Sequence, residues 1–208
     1  MTSNESKRLD KRIVRSRKAI LNAFEKLLLE KPLSDITVSA IAREASVDRK
    51  TFYVHFGTVD GLLDAIAEET VAGIADTVEE SLGGRSLRND SDSQEAARAF
   101  FATVNKAVCE NLVLNRKLVE NIPLAEFVSR VRRPLERQLH ERELIPEELV
   151  DEMFDYYMSF LLSGIIGVYR TWALSDGEVP IEKVSGVANE LMMHGLSSLK
   201  DRFPVQER

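Results

Sequence analysis

The stretch Ile36-Thr37-Val38-Ser39-Ala40-Ile41-Ala42-Arg43-Glu44-Ala45-Ser46-Val47-Asp48-Arg49-Lys50-Thr51-Phe52-Tyr53-Val54-His55-Phe56 decides how this chain is read. Thr37 stands where a helix N-cap belongs, its hydroxyl able to accept from an N–H two or three residues on, with Ile36 and Ile41 placed as a hydrophobic staple. A helix is predicted from Val38. Asp48 repeats the pattern with Val47 and Phe52 as its staple, and a carboxylate there also suits the helix dipole. A second helix is predicted from Arg49. Between them Ala45-Ser46-Val47 leaves a turn of about three residues, the length that sets two helices at a steep angle. Ala42 is small enough for a close crossing.

The second helix divides its side chains between two tasks. Phe52 and Phe56, four apart, share a face that can pack on the first helix, while Arg49, Lys50 and Tyr53 share another that can meet a duplex. N-terminal residues of a recognition helix reach base edges, so Arg49 or Lys50 can donate to guanine O6 and N7. Thr51, Tyr53 and His55 are candidates for phosphate or thymine-methyl contact, and Thr37 and Ser39 of the first helix complete the candidate DNA-binding set. The competing reading is a surface helix whose Arg-Lys pair is merely solvated. Two caps, two staples and a short turn together favour a helix-turn-helix.

The segment resembles the DNA-binding domain of the TetR/AcrR family of bacterial transcription regulators. Thr37, Ile41-Ala42, Thr51-Phe52-Tyr53-Val54-His55-Phe56 and Leu62-Leu63 match that family's pattern, over roughly residues 14–66. Ser46 replaces the glycine usual in the turn, which suggests a turn that needs no left-handed backbone. Val59 stands where the family usually has a phosphate-clamping lysine, so one backbone contact is expected to be missing and affinity, or its salt dependence, to be lower. The resemblance implies a ligand-responsive repressor acting as a homodimer on a palindromic operator, with no catalytic activity. Residues 160–172, followed by Gly177 and Pro180, also resemble the C-terminal domain of regulators related to the dihydroxyacetone-kinase operon activator. That resemblance implies an alternative, control by a protein partner in place of a small molecule.

Charge supports a DNA-facing end. The chain of 208 residues is net acidic at −6, yet residues 1–57 carry twelve Lys/Arg against seven Asp/Glu, so they are +5 and the remainder is −11. A basic head on an acidic body directs one end at phosphates. Lys7, Arg8, Lys11, Arg12, Arg15, Arg17 and Lys18 form the densest run, expected to be part disordered arm and part first helix. The single cysteine, Cys109, cannot form a disulfide within the chain. No signal peptide is read at the polar N-terminus, and the longest uncharged run, 156–169, is too short to span a bilayer. A cytoplasmic location is expected. His55, His140 and His194 lack metal-ligand spacing, and no Gly-rich phosphate loop, Gly-x-Ser-x-Gly or Cys-x-x-Cys occurs, so no metal, cofactor or catalytic site is expected.

Apolar residues recur at helical spacing throughout, and the expected fold class is all-α. Ile13, Ile20, Phe24, Leu27 and Leu28 line a first helix ending before Lys31-Pro32. Leu62, Ile66, Val71, Ile74 and Val78 line a fourth that stops at Gly83-Gly84. The expected organisation is an arm and helix-turn-helix domain at 1–57, a connecting helix at 58–82, a mobile polar linker at 83–93, and a helical effector-binding and dimerisation domain at 94–208. Within that domain helices are predicted at about 94–112, 116–121, up to 143, 147–175 and 181–202.

The first of the last two long helices is apolar around more than one stripe, which one subunit alone has trouble covering. Met153, Tyr156, Tyr157, Phe160, Leu161, Ile165, Val168 and Trp172 wrap around it, and Ile181, Val184, Val187, Ala188, Leu191, Met192 and Leu199 give the second a matching face. Gly164, Gly167, Gly186 and Gly195 permit close approach. Two copies would form a twofold four-helix interface, although the same helices can also fill a monomer core. The family resemblance implies an effector cavity, for which Phe101, Val104, Asn105, Leu118, Phe127, Val131, Tyr157, Phe160 and Trp172 are the candidate lining, with Asn105 and Tyr157 as polar handles.

Overall fold

The computed structural model describes residues 3–85, 87, 89–145, 150, 152–176 and 178–200. Among them are α1 (Ser3–Glu30), α2 (Val38–Glu44), α3 (Arg49–Phe56), α4 (Val59–Leu82), α5 (Asp90–Glu110), α6 (Leu112–Asn121), α7 (Leu124–Glu141), α8 (Phe154–Ala173) and α9 (Ile181–Lys200), a short 3-10 turn at Leu33–Asp35, and no strand. The all-α expectation holds. No helix among the described residues is long and apolar enough to cross a membrane. The chain divides into two compact units, Met1–Ile66 and Ala67–Arg208, so the division falls within α4 and not at residue 57.

In the first unit α1 packs on both α2 and α3, and α2 on α3. Ile20, Phe24 and Leu28 of α1, Ile41 of α2, Phe52 of α3 and Leu62 of α4 are almost fully buried, and Leu27, Ile36, Ala42, Phe56 and Leu63 nearly so. Burial of each large apolar side chain is worth about 1.5–3 kcal/mol, so these side chains suffice for a core. Ile13, expected on the same face, is exposed, because the buried stripe of α1 begins only at Ile20. The basic run lies on α1, which starts at Ser3; the side chains of Lys7 and Arg8 lie outside the described residues.

In the second unit α8 packs against α6, α7 and α9, and α5 against α6 and α9. Val78, Leu82, Ala96 and Leu144 form one buried cluster. Phe101, Tyr169, Ile181 and Ala188 form another. Arg142 of the α7 C-terminus donates to Asp76 and Glu79 of α4, and Arg137 pairs with Glu68.

Three element boundaries differ from expectation. Residues 90–93 are not linker: Asn89 caps α5 by accepting from the Asp92 N–H at 2.9 Å, which starts that helix one turn early. Arg85 binds the Leu82 carbonyl at 2.8 Å together with Asp92 and Glu95, so the described part of the connection is held. Ser86 and Arg88 lie outside the described residues. α6 begins at Leu112, earlier than expected. α8 begins only at Phe154, with the Met153 carbonyl accepting the first N–H groups, so it runs 20 residues, about 30 Å. Residues 146–149 and 151, where its start was expected, lie outside the described residues, as do Gly177, residues 201–208, the surroundings of Gly195 and the side chain of Leu199.

Candidate nucleic-acid interface

Both predicted caps form. Thr37 Oγ1 accepts from the Ala40 N–H at 3.2 Å, and Asp48 Oδ1 accepts from the Lys50 N–H at 2.7 Å. The turn between them corrects one expectation. Ser46 has φ 54°, its N–H donates to the Arg43 carbonyl at 3.2 Å, and the Val47 N–H donates to the Ala42 carbonyl at 3.0 Å. This pairing closes a helix C-terminus over a left-handed residue, usually glycine. Ser46 therefore adopts the glycine conformation itself, at a cost of about 1–2 kcal/mol for a residue with a Cβ.

α3 splits as its sequence predicts. Phe52 is fully buried with its ring tilted against that of Phe56 at 5.7 Å, while Arg49, Lys50 and Tyr53 are exposed, Tyr53 by 55%. Thr37 and Ser39 are exposed beside them and Thr51 is half-buried. Arg49 Nη1 lies 3.4 Å from Ser39 Oγ, a long contact that leaves most of the guanidinium's donors open. Two cations and a phenol thus share one open surface backed by buried rings.

His55 is placed differently from its neighbours. Its Nε2 is 2.7 Å from Ser16 Oγ of α1, and that hydroxyl also lies 3.0 Å from the carbonyls of Arg12 and Ile13. When the hydroxyl proton goes to a carbonyl, the ring donates from Nε2–H to Ser16. Burial first, and the nearby Arg17 cation second, hold the His55 pKa below its ordinary value. Arg17 itself sits 4.7 Å over the Phe56 ring. The ring expected to meet phosphate is instead tied half-buried to α1.

The step from α3 into α4 depends on a residue that sequence reading passed over. Thr58 Oγ1 accepts from the Gly61 N–H at 2.9 Å, capping α4, and the Thr58 N–H donates to the Phe56 carbonyl at 2.7 Å. A Cβ on Gly61 would lie 2.1 Å from that carbonyl oxygen. The available signal was a hydroxyl residue three before a glycine at a helix start.

In the second unit, Phe101, Val104 and Trp172 of the candidate cavity residues pack in one apolar cluster. Phe101 and Leu118 are buried; Val104, Asn105, Phe127, Val131, Tyr157 and Trp172 are half-buried. Phe160 is 75% exposed and is corrected from a lining residue to an outward-facing one. Asn105 accepts from the Tyr169 hydroxyl at 2.6 Å and donates to Ser185 Oγ at 2.9 Å, so its amide is engaged within the protein. Burial pushes the Tyr169 pKa well up. Trp172 donates its indole N–H to the Val179 carbonyl at 2.7 Å. Neither Tyr169 nor Ser185 was singled out, because each reads as one more residue of an apolar or mixed helix.

The fold and the exposed second helix of its head define a helix-turn-helix protein. Residues 20–66 match the family described as bacterial regulatory proteins, tetR family. The head of the chain is thus similar to members of that family. It is 28% identical over 178 residues, 80% of its length, to the uncharacterized HTH-type transcriptional regulator YxbF of Bacillus subtilis (strain 168), covering 42% of that protein. It is 34% identical over 86 residues, 41% of its length, to the HTH-type transcriptional regulator AlkX of Mycobacterium tuberculosis (strain ATCC 25618 / H37Rv), covering 41% of that protein. The chain thus spans about two-fifths of the length of these curated relatives. Its fold is that of a TetR transcriptional regulator from Streptococcus agalactiae 2603V, with a TM-score of 0.56 at 24% identity over 90% of this chain and 98% of that one.

Proposed function

We propose that the protein is a transcription regulator that binds a roughly palindromic DNA operator as a homodimer, and that it is a repressor released by a small molecule. The observation that carries the reading is the division of α3, with Phe52 and Phe56 inside and Arg49, Lys50 and Tyr53 outside. Arg49 and Lys50 read base edges, while Thr37, Ser39, Thr51 and Tyr53 hold the backbone. His55 acts through Ser16, orienting α1 against α3.

The homodimer reading is supported by apolar side chains left open on α8 and α9: Tyr156 and Phe160, four apart and 69% and 75% exposed, and Val187 and Leu191, four apart and 53% and 64% exposed. A second copy applied by a twofold axis covers both pairs and makes a four-helix interface. Two heads then meet half-sites one helical turn of DNA apart, about 34 Å. An effector in the helical body that shifts α4 changes that spacing and weakens binding.

Selection of operator fragments from random DNA, followed by fluorescence anisotropy across a salt series, tests the reading. A palindromic consensus, a steep salt slope and a two-to-one protein to site ratio are expected. Binding that is sequence-blind, or unaffected by Arg49→Ala with Lys50→Ala, would remove the proposal.

A further inference from the structure

α3 carries one exposed side chain that neither its buried rings nor its cations account for. Val54 is 77% exposed, more than any other large apolar side chain among the described residues. It stands two residues after Phe52 and two before Phe56. Two residues along an α-helix are a rotation of roughly 200°, so Val54 points almost directly away from the two buried rings. Lys50 and Thr51, four and three residues earlier, lie on the same side of the helix. Arg49 and Tyr53 flank that side, both exposed. Val54 is therefore at the middle of the outward surface of α3, with polar groups around it.

Helix formation gives no reason for a valine there, since a residue branched at Cβ has a lower helix propensity than alanine, lysine or glutamate. Packing within the head gives none either: α1 and α2 both pack on α3, yet neither covers Val54. An apolar side chain in that place is complementary to an apolar group on whatever α3 meets. In the major groove, base-pair edges present hydrogen-bond donors and acceptors and one apolar group, the methyl at C5 of thymine.

We infer that Val54 reads the 5-methyl group of a pyrimidine in each operator half-site. The inference rests on the DNA-binding reading proposed above and names a specificity-determining residue within it. One turn of α-helix rises about 5.4 Å and one base pair about 3.4 Å, so the methylated pyrimidine lies within about two base pairs of the base that Lys50 reads. Thymine and 5-methylcytosine both carry that methyl, and they differ in the donor or acceptor beside it.

Fluorescence anisotropy tests it, on operator fragments selected from random DNA by the intact protein, with each thymine in turn replaced by deoxyuridine. Uracil keeps the pairing and the O4 acceptor and lacks only the methyl. One thymine in each half-site should lose about four-fold in affinity on that change, the worth of one buried methyl group, and the symmetric pair about ten-fold or more. Val54→Ser, at an exposed position that leaves the fold intact, should bind the thymine and uracil operators alike. A general loss of fold or affinity moves both operators together, so their ratio isolates the contact. Cytosine and 5-methylcytosine at the same position distinguish the two sources: a methylcytosine that recovers affinity over cytosine shows that the methyl is read on either base, and one that does not assigns the site to thymine. Uracil tolerated at every position of a clear consensus overturns the inference and leaves the DNA-binding reading standing. A thymine preference that survives Val54→Ser also overturns it and passes the methyl to Thr51 or Tyr53. Sequence-blind binding overturns both readings.

Discussion

The Val47 N–H donates to the Ala42 carbonyl at 3.0 Å, closing the turn between the two helices of the head over a left-handed Ser46. Glycine holds that conformation without a Cβ penalty but loses more backbone freedom on folding. The strain relieved exceeds the entropy lost, so Ser46→Gly should stabilise the head by on the order of 0.5–1 kcal/mol. Ser46→Val should destabilise it by more, since branching at Cβ worsens the same clash. Urea unfolding midpoints of the three proteins give the order directly; equal midpoints for serine and glycine would show that the strain at Ser46 is no larger than the entropy glycine loses on folding.

Gly61 sits under the Phe56 carbonyl with no room for a methyl group. Gly61→Ala must therefore move α3 or the first turn of α4, at a cost of about 1–3 kcal/mol typical of overpacking. Operator affinity should fall with it, because the α3–α4 junction fixes the carbonyl end of the recognition helix. Thermal unfolding alongside anisotropy separates the two effects.

The His55–Ser16 contact makes the stability of the head pH-dependent. Burial favours the neutral ring, so between its lowered folded pKa and the ordinary 6.5 the folded chain binds fewer protons than the unfolded one. Stability is complete above 6.5 and declines as pH falls through the lowered value. His55→Gln should flatten that decline. Denaturant midpoints measured from pH 8 down to about pH 5, a range spanning the histidine titration, provide the comparison; an unchanged slope in the variant would assign the decline to another group.

How much of this was legible follows from how local each determinant is. Thr37 and Asp48 announce their helices because a cap bonds within two or three residues, and the Phe52–Phe56 spacing announces the buried face for the same reason. The Ser46 conformation was misread because a side-chain preference was taken to fix φ, whereas the Ala42 carbonyl and the helix on either side impose it. Tyr169, Asn105 and Ser185 come from three helices, and the contacts joining them span 64 and 80 residues, beyond any periodicity argument. Phe160 was assigned inward because an aromatic on an apolar helix does not report which of several apolar faces is covered.

Phe160, at 75% exposure, makes a clean probe of the assembly. A charge placed there disturbs little within one subunit but would be buried without a partner in a twofold interface, which is strongly unfavourable. Phe160→Glu and Leu191→Asp should each shift the protein toward monomer in sedimentation velocity while leaving helical content unchanged. Each should also weaken operator binding, since one head loses the other's contribution. A variant that remains dimeric at micromolar concentration would place the interface elsewhere.

Arg49 and Val59 predict opposite and separable effects on DNA binding. Arg49 is exposed at the start of α3, where a guanidinium can make paired bonds to a guanine edge, so Arg49→Ala should cost about 1–3 kcal/mol and relax the base preference at one operator position. Val59 is half-buried at the first position of α4, and a lysine there adds a phosphate contact at the expense of placing a cation at a helix N-terminus, a penalty of about 0.3–1 kcal/mol. Val59→Lys should therefore tighten binding to all sequences alike and steepen the plot of log affinity against log salt by about one unit. Anisotropy titrations at several salt concentrations, on the selected operator and on a scrambled duplex, distinguish the two. If Val59→Lys alters sequence preference and leaves the salt slope unchanged, the start of α4 does not face the phosphate backbone and the assignment of Arg49 to the major groove falls with it, because both rest on the same docking geometry.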